Sequence, residues 1–566
     1  MKTEKLHDVK KYLNVREMME TVGRDYRDRV AFSYRVRPSD EAPVQVTFFE
    51  LRRKVRGLAT EMIAQGCQGK HIALIAKPSV EWAFTYFAAL SIGSVLVPLD
   101  REWTARDLAD TVKNADAEFL FADADMAEKA GEICEMSGVR NAPVYLNADG
   151  EEENSLDFWI RRGCDRFEES SREYYHAHID PEALALLVFT SGTTGKGKGV
   201  KLSQKGILED ICAVIPYVDF GAKTVSVLPL HHTFGSTVML MGHAIIGCEV
   251  YMSSGLRYIQ KELQEQKPTH LVVVPLYMEN FYRKIQAKIK STGKEKLLGT
   301  LMKVSNGARV LGVDLRKKLF ASVRGAFGGQ CRTVICGGAP INQEIITFFE
   351  SVGIAILNGY GITECSPVVA VNRSRNVVKG SVGTVLDIDD VRIDEPNEDG
   401  EGEILVKGPN VMLGYYKNDE ATEDAMTEDG YFRTGDYGRL SKDNILTITG
   451  RKKNLIILSN GKNVYPEEIE NQLISVPGIE TVVVYEGQSK RGLEHNAIVA
   501  EIYPDFDYVE KNAVTDLKAY FKPFIDEYNK TAVSYKKIQL FKIRQVPFPT
   551  NTLRKIIRFK IDMSIK

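Results

Sequence analysis

The chain has 566 residues, with 74 Lys and Arg against 76 Asp and Glu and 44% hydrophobic content. At roughly 100–200 residues per domain, that length predicts two to four domains with large buried cores. A net charge of −2 gives no global handle for nucleic acid or an anionic membrane, so no nucleic-acid partner is expected and membrane contact is peripheral at most.

The first twenty residues are charged throughout and lack the apolar centre of a signal peptide. Phe49–Gln65 has a helical pattern. The uncharged run Trp82–Leu99 changes from helical to β-branched character and contains Gly93 and Pro98, which predicts a buried helix running into a buried strand rather than a membrane span. The segments HIALIA, SVLVPLD, EFLFAD, ALLVFT, TVSVLPL, HLVVVPL and RTVICG each read as a buried strand. Asn342–Val352 reads as a helix stopped by Gly353. Alternation of this kind between about Glu50 and Tyr360 predicts an α/β fold of doubly wound sheets, with ligand loops at the carboxyl ends of strands.

From about Gly380 the pattern changes to short strands and turns (GEILVKG, YFRTGD, ILTITGRKKNLIILSNG), a β-rich subdomain of about residues 380–452. After Arg451–Lys453 come a helix from Pro466, the strands TVVVYEG and NAIVAEIYP, and a helix from Val514. The division predicted is a large N-terminal domain, 1–452, and a small mobile α+β C-terminal domain, 453–566. The eight cysteines form no CxxC pair and show no zinc spacing with histidine, which fits reduced thiols and a cytoplasmic setting.

The most informative segment follows the apolar run Leu187–Phe189. Thr190-Ser191-Gly192-Thr193-Thr194-Gly195-Lys196-Gly197-Lys198-Gly199 combines glycines, hydroxyls and lysines, and Ser203 follows as a helix N-cap. Glycines let backbone N–H groups approach an anion, and hydroxyls and ammonium groups donate to its oxygens. The spacing nearly fits a Walker A loop, but Gly199 stands where Ser or Thr would hold magnesium. Asn358-Gly359-Tyr360-Gly361-Ile362-Thr363-Glu364 presents an aromatic ring, a hydroxyl and a carboxylate on a Gly-flanked loop. Tyr431-Phe432-Arg433-Thr434-Gly435-Asp436, followed by Gly450-Arg451, supplies a carboxylate suited to a ribose diol.

Thr190–Val200 resembles the phosphate loop of the adenylate-forming superfamily: acyl-CoA synthetases, luciferases and peptide-synthetase adenylation domains. The likeness recurs in order as far as Arg558, with wording closest to long-chain fatty acyl-CoA synthetases. Two positions depart from the family pattern. Gly197 replaces the usual Pro, which loosens the loop without removing donors, and Arg554 replaces a Gly, which puts the terminal loop's shape in question.

The resemblance implies ATP contacts from Thr190, Ser191, Gly192, Thr193, Thr194, Gly195 and Lys198, with Gly338 and Ala339 on the adenine side. It places Tyr360 against adenine within an ATP-binding run that includes Asn358, Gly359 and Gly361, Thr363 on the α-phosphate, Asp436 on the ribose, and Arg451 as a second ribose or phosphate contact. Thr190 and Glu364 would hold Mg²⁺. Lys555 would bridge the carboxylate and α-phosphate, and Lys453 would be the hinge of the C-terminal domain. The run Leu458–Glu470 would face the thiol substrate; without the resemblance it reads as a hairpin turn and a helix start.

In His231-His232-Thr233-Phe234-Gly235, a family aromatic or His gates entry of the carboxylate. The register favours His232 and leaves His231 open. Ser236–Gly247 either lines an acyl pocket or is plain core helix. The reaction implied is ATP-dependent activation of a fatty acid, through an acyl-adenylate, onto coenzyme A, with Mg²⁺ as cofactor. Alternatives are a free acyl carrier protein as acceptor, a medium-chain or aryl acid as substrate, or a non-catalytic relative that binds nucleotide or acyl ligand. With Lys566 so soon after Lys555, a fused carrier domain is not expected.

Overall fold

The computed structural model describes residues 5–190, 197–458, 463–489, 497–550 and 556–565. Its central layer is a seven-stranded sheet in the order Gly414–Tyr415, Lys198–Ser203, Leu184–Thr190, Val95–Leu99, His71–Ile75, Phe119–Asp123, Val144–Leu146. The last five of these are mutually parallel. They are apolar on both faces, as strands covered by helices on both sides must be. The helix Val80–Ser91, capped by Ser79, runs into the strand Val95–Leu99 as the sequence predicts. Trp82 and Tyr86 stack with ring centroids 5.4 Å apart on this helix, which is buried at every position except Glu81.

The second sheet is nine-stranded and mixed. His270–Val273, Thr333–Cys336 and Ala355–Gly361 are parallel. The same sheet then continues antiparallel through Val368–Val371, Gly383–Val385, Ile445–Arg451, Phe432–Leu440, Gly402–Lys407 and Asp390–Asp394. The short-strand region is thus an extension of a parallel sheet, and its first strand, Val368–Val371, precedes the change of composition at Gly380. A four-stranded sheet, Val44–Thr47, Val30–Tyr34, Glu249–Met252 and Lys223–Ser226, completes the N-terminal part. A separate α+β unit follows Lys453. Its strands Leu540–Ile543, Ala497–Pro504, Ile479–Ser489 and Ser564–Ile565 pack, with the helices Pro466–Leu473 and Leu517–Thr531, around a core that includes Ile469, Val484, Ile502 and Phe521.

Local chemistry explains the helices that brace the sheets. Thr47 and Glu50 form a reciprocal capping box at the start of Phe48–Ala64. That helix crosses Leu156–Glu169 so closely that a Cβ on Gly163 would lie well inside contact distance of the Gly57 carbonyl oxygen. Gly163→Ala is therefore expected to force the helices apart and destabilise the fold by ~2 kcal/mol. Chemical denaturation tests this; an unchanged midpoint would show that the crossing yields freely.

Candidate active site

The glycine-rich segment closes a β-hairpin. Leu184–Thr190 and Lys198–Ser203 are antiparallel, with Thr190 opposite Lys198, and the Thr190 hydroxyl donates to the Lys198 carbonyl at 3.4 Å. A Walker A loop runs from strand to helix, so this topology excludes that reading; Ser203 caps the helix only after the second strand. Ser191, Gly192, Thr193, Thr194, Gly195 and Lys196 lie outside the described residues. At Gly197 a Cβ would stand 2.6 Å from the Thr190 carbonyl oxygen, so in this backbone the position is closed to larger residues without a shift.

The hairpin places Lys198 over the Tyr415 ring, 4.6 Å from its centroid, and the Tyr415 hydroxyl donates to Glu364 Oε1 at 3.0 Å. Tyr415 reaches this point because Gly414–Tyr415 adds to the outer edge of Lys198–Ser203. Glu364 sits in the short turn Thr363–Cys365 after the strand Ala355–Gly361, and its carbonyl accepts from Met412 N at 2.8 Å. The carboxylate and the Thr190 hydroxyl are hard oxygen donors, a set that suits Mg²⁺.

A second cluster forms at Tyr360, on the strand Ala355–Gly361 that leads to Glu364. The Tyr360 hydroxyl donates to Asp436 Oδ2 at 2.7 Å, and Arg451 Nε lies 2.9 Å from Asp436 Oδ1. Asp436 and Arg451 are direct partners in the antiparallel pair that joins Phe432–Leu440 to Ile445–Arg451. Asp436 is only 3% exposed. Burial, followed by the Asp436 charge, holds the Tyr360 hydroxyl well above its ordinary range. Asn358 stands at the same strand end, and its Oδ1 is buried with no hydrogen-bond partner among the described residues. A buried amide left unsatisfied is an opening for a ligand such as a nucleobase. Across from it, Gly337 approaches the Gly359 carbonyl and Phe234, and Gly338 takes a left-handed φ of +87° that leads into Ala339.

The histidines follow the strand Lys223–Ser226. Their rings are 4.3 Å apart, and His231 Nε2 lies 3.7 Å from Asp100 Oδ2 at the carboxyl end of Val95–Leu99. Burial lowers the basicity of His231 and Asp100 opposes it. Phe234–Met241 forms a π-helix whose residues from Gly235 onward are buried, and the Phe234 ring borders Gly337.

Folding also unites His243, Cys248 and His270, which show no metal spacing in the sequence. Gly221 N donates to His270 Nδ1 at 3.1 Å, so His270 carries its proton on Nε2, which meets His243 Nε2 at 2.7 Å; His243 Nδ1 then donates to the Val238 carbonyl at 3.1 Å. Every ring nitrogen is already committed, and the cluster is a neutral structural network.

Several residues beneath the site carry no sequence signal because they come from distant segments. Asn410 Nδ2 reaches Asp210 Oδ1 at 3.3 Å, Asp389 Oδ2 at 3.2 Å and the Val368 carbonyl at 3.0 Å. Val368 N donates to Asp210, and the Ser366 hydroxyl donates to the Asn410 carbonyl at 2.7 Å. This cluster fixes the chain just after Glu364. Burial raises the Asp210 carboxyl far above its ordinary range and pushes Asp389 from 3.8 up to about 7. A carboxyl whose folded pKa is raised contributes stability that is complete below its unfolded value and is lost as pH rises through the folded one. Stability should therefore fall between about pH 4 and 7, and Asp389→Asn, which is always neutral, should flatten that fall. Parallel pH–stability curves for the two proteins would remove Asp389 as the cause.

Lys453 lies in the turn Lys452–Asn454 where the α+β unit begins, and Lys452 is tied back by Glu403 at 2.7 Å. Ile456–Ile457 and Asn463–Val464 pair as a hairpin before the helix Pro466–Leu473, while Ser459–Lys462 lie outside the described residues. Arg554 and Lys555 also lie outside them. The nearby Arg558 is held by Glu470 at 2.6 Å and by the Val484 carbonyl at 2.8 Å. No described helix is long and apolar enough to cross a membrane.

Residues 19–416 match the AMP-binding enzyme family, and the chain belongs to it. It is 31% identical over 495 residues to the long-chain-fatty-acid–CoA ligase FadD15 of Mycobacterium tuberculosis, covering 83% of this chain and 80% of that protein. It is 28% identical over 548 residues to the chloroplastic long-chain-fatty-acid–[acyl-carrier-protein] ligase AEE15 of Arabidopsis thaliana, covering 83% and 74%. Among solved structures, a Mycobacterium tuberculosis fatty acyl CoA synthetase superposes with a TM-score of 0.64 at 21% identity, covering 97% of each chain. The o-succinylbenzoate coenzyme A synthetase of Bacillus subtilis, in complex with ATP and magnesium ion, superposes with a TM-score of 0.69 at 20% identity, covering 96% and 98%. These superpositions establish the large N-terminal domain and small C-terminal α+β domain as the family's fold.

Proposed function

We propose that the chain is an AMP-forming acid–thiol ligase that activates a long-chain fatty acid with ATP and transfers it to coenzyme A. The observation that carries this reading is the adjacency of two clusters: Lys198, Tyr415 and Glu364 on one side, and Asn358, Tyr360, Asp436 and Arg451 on the other. The first suits a polyphosphate with its cation, and the second suits a nucleoside. FadD15, a long-chain-fatty-acid–CoA ligase, supports the choice of acid and thiol.

Carboxylates are poor acyl donors, so the acid must first be converted to a mixed anhydride. Its carboxylate oxygen attacks the α-phosphorus of ATP, pyrophosphate leaves, and the thiol then displaces AMP from the acyl carbon. The substrate is its own nucleophile, and the protein's task is to orient it and offset negative charge. Mg²⁺ bound by Thr190 and Glu364 would supply Lewis-acid neutralisation of the phosphate oxygens. Asp436 accepts from the ribose hydroxyls, Lys198 and the hairpin donors hold the phosphates, and His232 or His231 stands where the acid enters. Lys453 serves as the hinge between the two half-reactions.

Release of AMP and pyrophosphate from ATP with palmitate, with and without coenzyme A, tests this reading. Palmitate-driven AMP release that requires coenzyme A is expected. Pyrophosphate release indifferent to coenzyme A would favour a carrier protein as acceptor, as the name of AEE15 suggests for that relative. Silence across long-chain, short and aromatic acids would leave a non-catalytic binder. Glu364→Gln is expected to raise the Mg²⁺ concentration for half-maximal rate about tenfold, the scale for losing one charged ligand contact. An unchanged Mg²⁺ titration would take Glu364 out of the metal site.

A further inference from the structure

The helices Pro275–Ser291 and Glu295–Val310 differ in composition from the rest of the chain. Between Arg283 and Lys318 there are eleven Lys and Arg against two acidic residues, a local charge of +9 in a chain whose net charge is −2. Both helices bury one face: Phe281, Tyr282 and Ile285 of the first and Leu298, Leu301 and Met302 of the second pack on the core beside the mixed sheet.

The outer face of the second helix is not polar throughout. Leu297 and Val304, seven residues apart and so on one side of the helix, are 54% and 53% exposed. At its end Val310 and Leu311 are 87% and 82% exposed. Gly312, with φ of +79°, turns the chain there, and Val313 N closes the turn on the Ala308 carbonyl at 3.0 Å. The exposed Lys296 and Lys303 immediately precede Leu297 and Val304, and the exposed Lys284 and Lys288 lie one turn apart on the first helix. Among the described residues none of these four lysines forms an ion pair with a carboxylate, whereas Arg316 is engaged by Asp314.

We infer that this face is a docking surface for an anionic phospholipid bilayer. Exposed aliphatic side chains bordered by lysines are the pattern of a helix that lies at a membrane interface, where apolar groups enter the headgroup boundary and ammonium groups meet lipid charge. The same surface is ill suited to a protein partner. Protein interfaces are enriched in aromatics and Arg and depleted in Lys, and the exposed part of this face is rich in Lys and shows no exposed aromatic among its described residues. Lysine's compact, strongly hydrated charge matches a diffuse anionic layer better than a bidentate partner.

The inference does not depend on the proposed reaction, and its test needs neither ATP nor acid. Full-length protein is floated with phosphatidylcholine vesicles and with mixed phosphatidylcholine–phosphatidylglycerol vesicles. Partition onto the mixed vesicles is expected at least ~tenfold above phosphatidylcholine alone, weakening as salt is raised. The combined variant Lys284→Glu, Lys288→Glu, Lys296→Glu, Lys303→Glu should lower that partition by ~tenfold or more. Val310→Ser with Leu311→Ser, which removes apolar surface without adding charge, should lower it at low and high salt alike. All six positions are exposed, so circular dichroism and thermal midpoint should match the parent and exclude unfolding as the cause. Absence of binding to mixed vesicles, or equal binding by parent and variants, overturns the inference. Binding of an acidic acyl carrier protein that the same variants abolish, without vesicle binding, would overturn it in favour of a protein partner.

Discussion

Lys555→Ala is expected to slow acyl-adenylate formation by ~10²-fold or more while leaving thioester formation from supplied acyl-adenylate nearly intact, the scale for losing one charge-stabilising group. In the first half-reaction an anionic acid must approach an anionic phosphate, and negative charge grows on the phosphoryl oxygens as pyrophosphate departs. A lysine that bridges both partners, the role we propose for Lys555, would offset that repulsion where it is greatest. In the second half-reaction the acyl group is already activated and the attacking thiol approaches a carbonyl carbon, so this lysine has little to do. Measuring the half-reactions separately gives the answer. Equal losses in both would show a structural role for Lys555, and a loss with Arg554→Ala in its place would shift the assignment by one residue.

The parts of this protein legible in its sequence are those whose signal is local. Trp82–Leu99 declared both its helix and its strand because the change from Ala and aromatic residues to Val and Leu coincides with Gly93 at a left-handed φ. Gly353, with φ of +89°, ended its helix for the same reason. The glycine-rich segment announced anion chemistry but not its own shape. Lys198–Ser203 carries two lysines and a glycine, which hides a strand whose apolar members, Val200 and Leu202, are buried against the central sheet. The sheet that joins Ala355–Gly361 to the later short strands was illegible because pairing between distant segments leaves no periodic trace. Tyr415 and the Asp210–Asn410–Asp389 cluster escaped notice likewise: each matters only through a partner far away in the chain.

Asp436→Asn is expected to lower kcat/KM for ATP by ~10²-fold, from two charge-assisted hydrogen bonds at roughly 1.5 kcal/mol each. In the structure both carboxylate oxygens are engaged, one by the Tyr360 hydroxyl and one by Arg451. A ribose diol would present hydroxyl donors to the same carboxylate, so the Tyr360 hydroxyl occupies the kind of contact that a nucleoside would make. If that hydroxyl merely stands in for ribose, Tyr360→Phe should change kcat/KM for ATP by less than about threefold, because its ring still offers adenine a face. If the hydroxyl instead orients Asp436, the phenylalanine variant should share most of the asparagine variant's loss. Asparagine keeps the shape of the side chain but brings an N–H₂ group toward either a guanidinium or a hydroxyl already donating, so it loses charge and one acceptor together. Near-normal ATP kinetics in Asp436→Asn would remove the ribose assignment. A loss of tenfold or more in both variants would recast Tyr360 as a positioning residue for the carboxylate rather than a platform for the base.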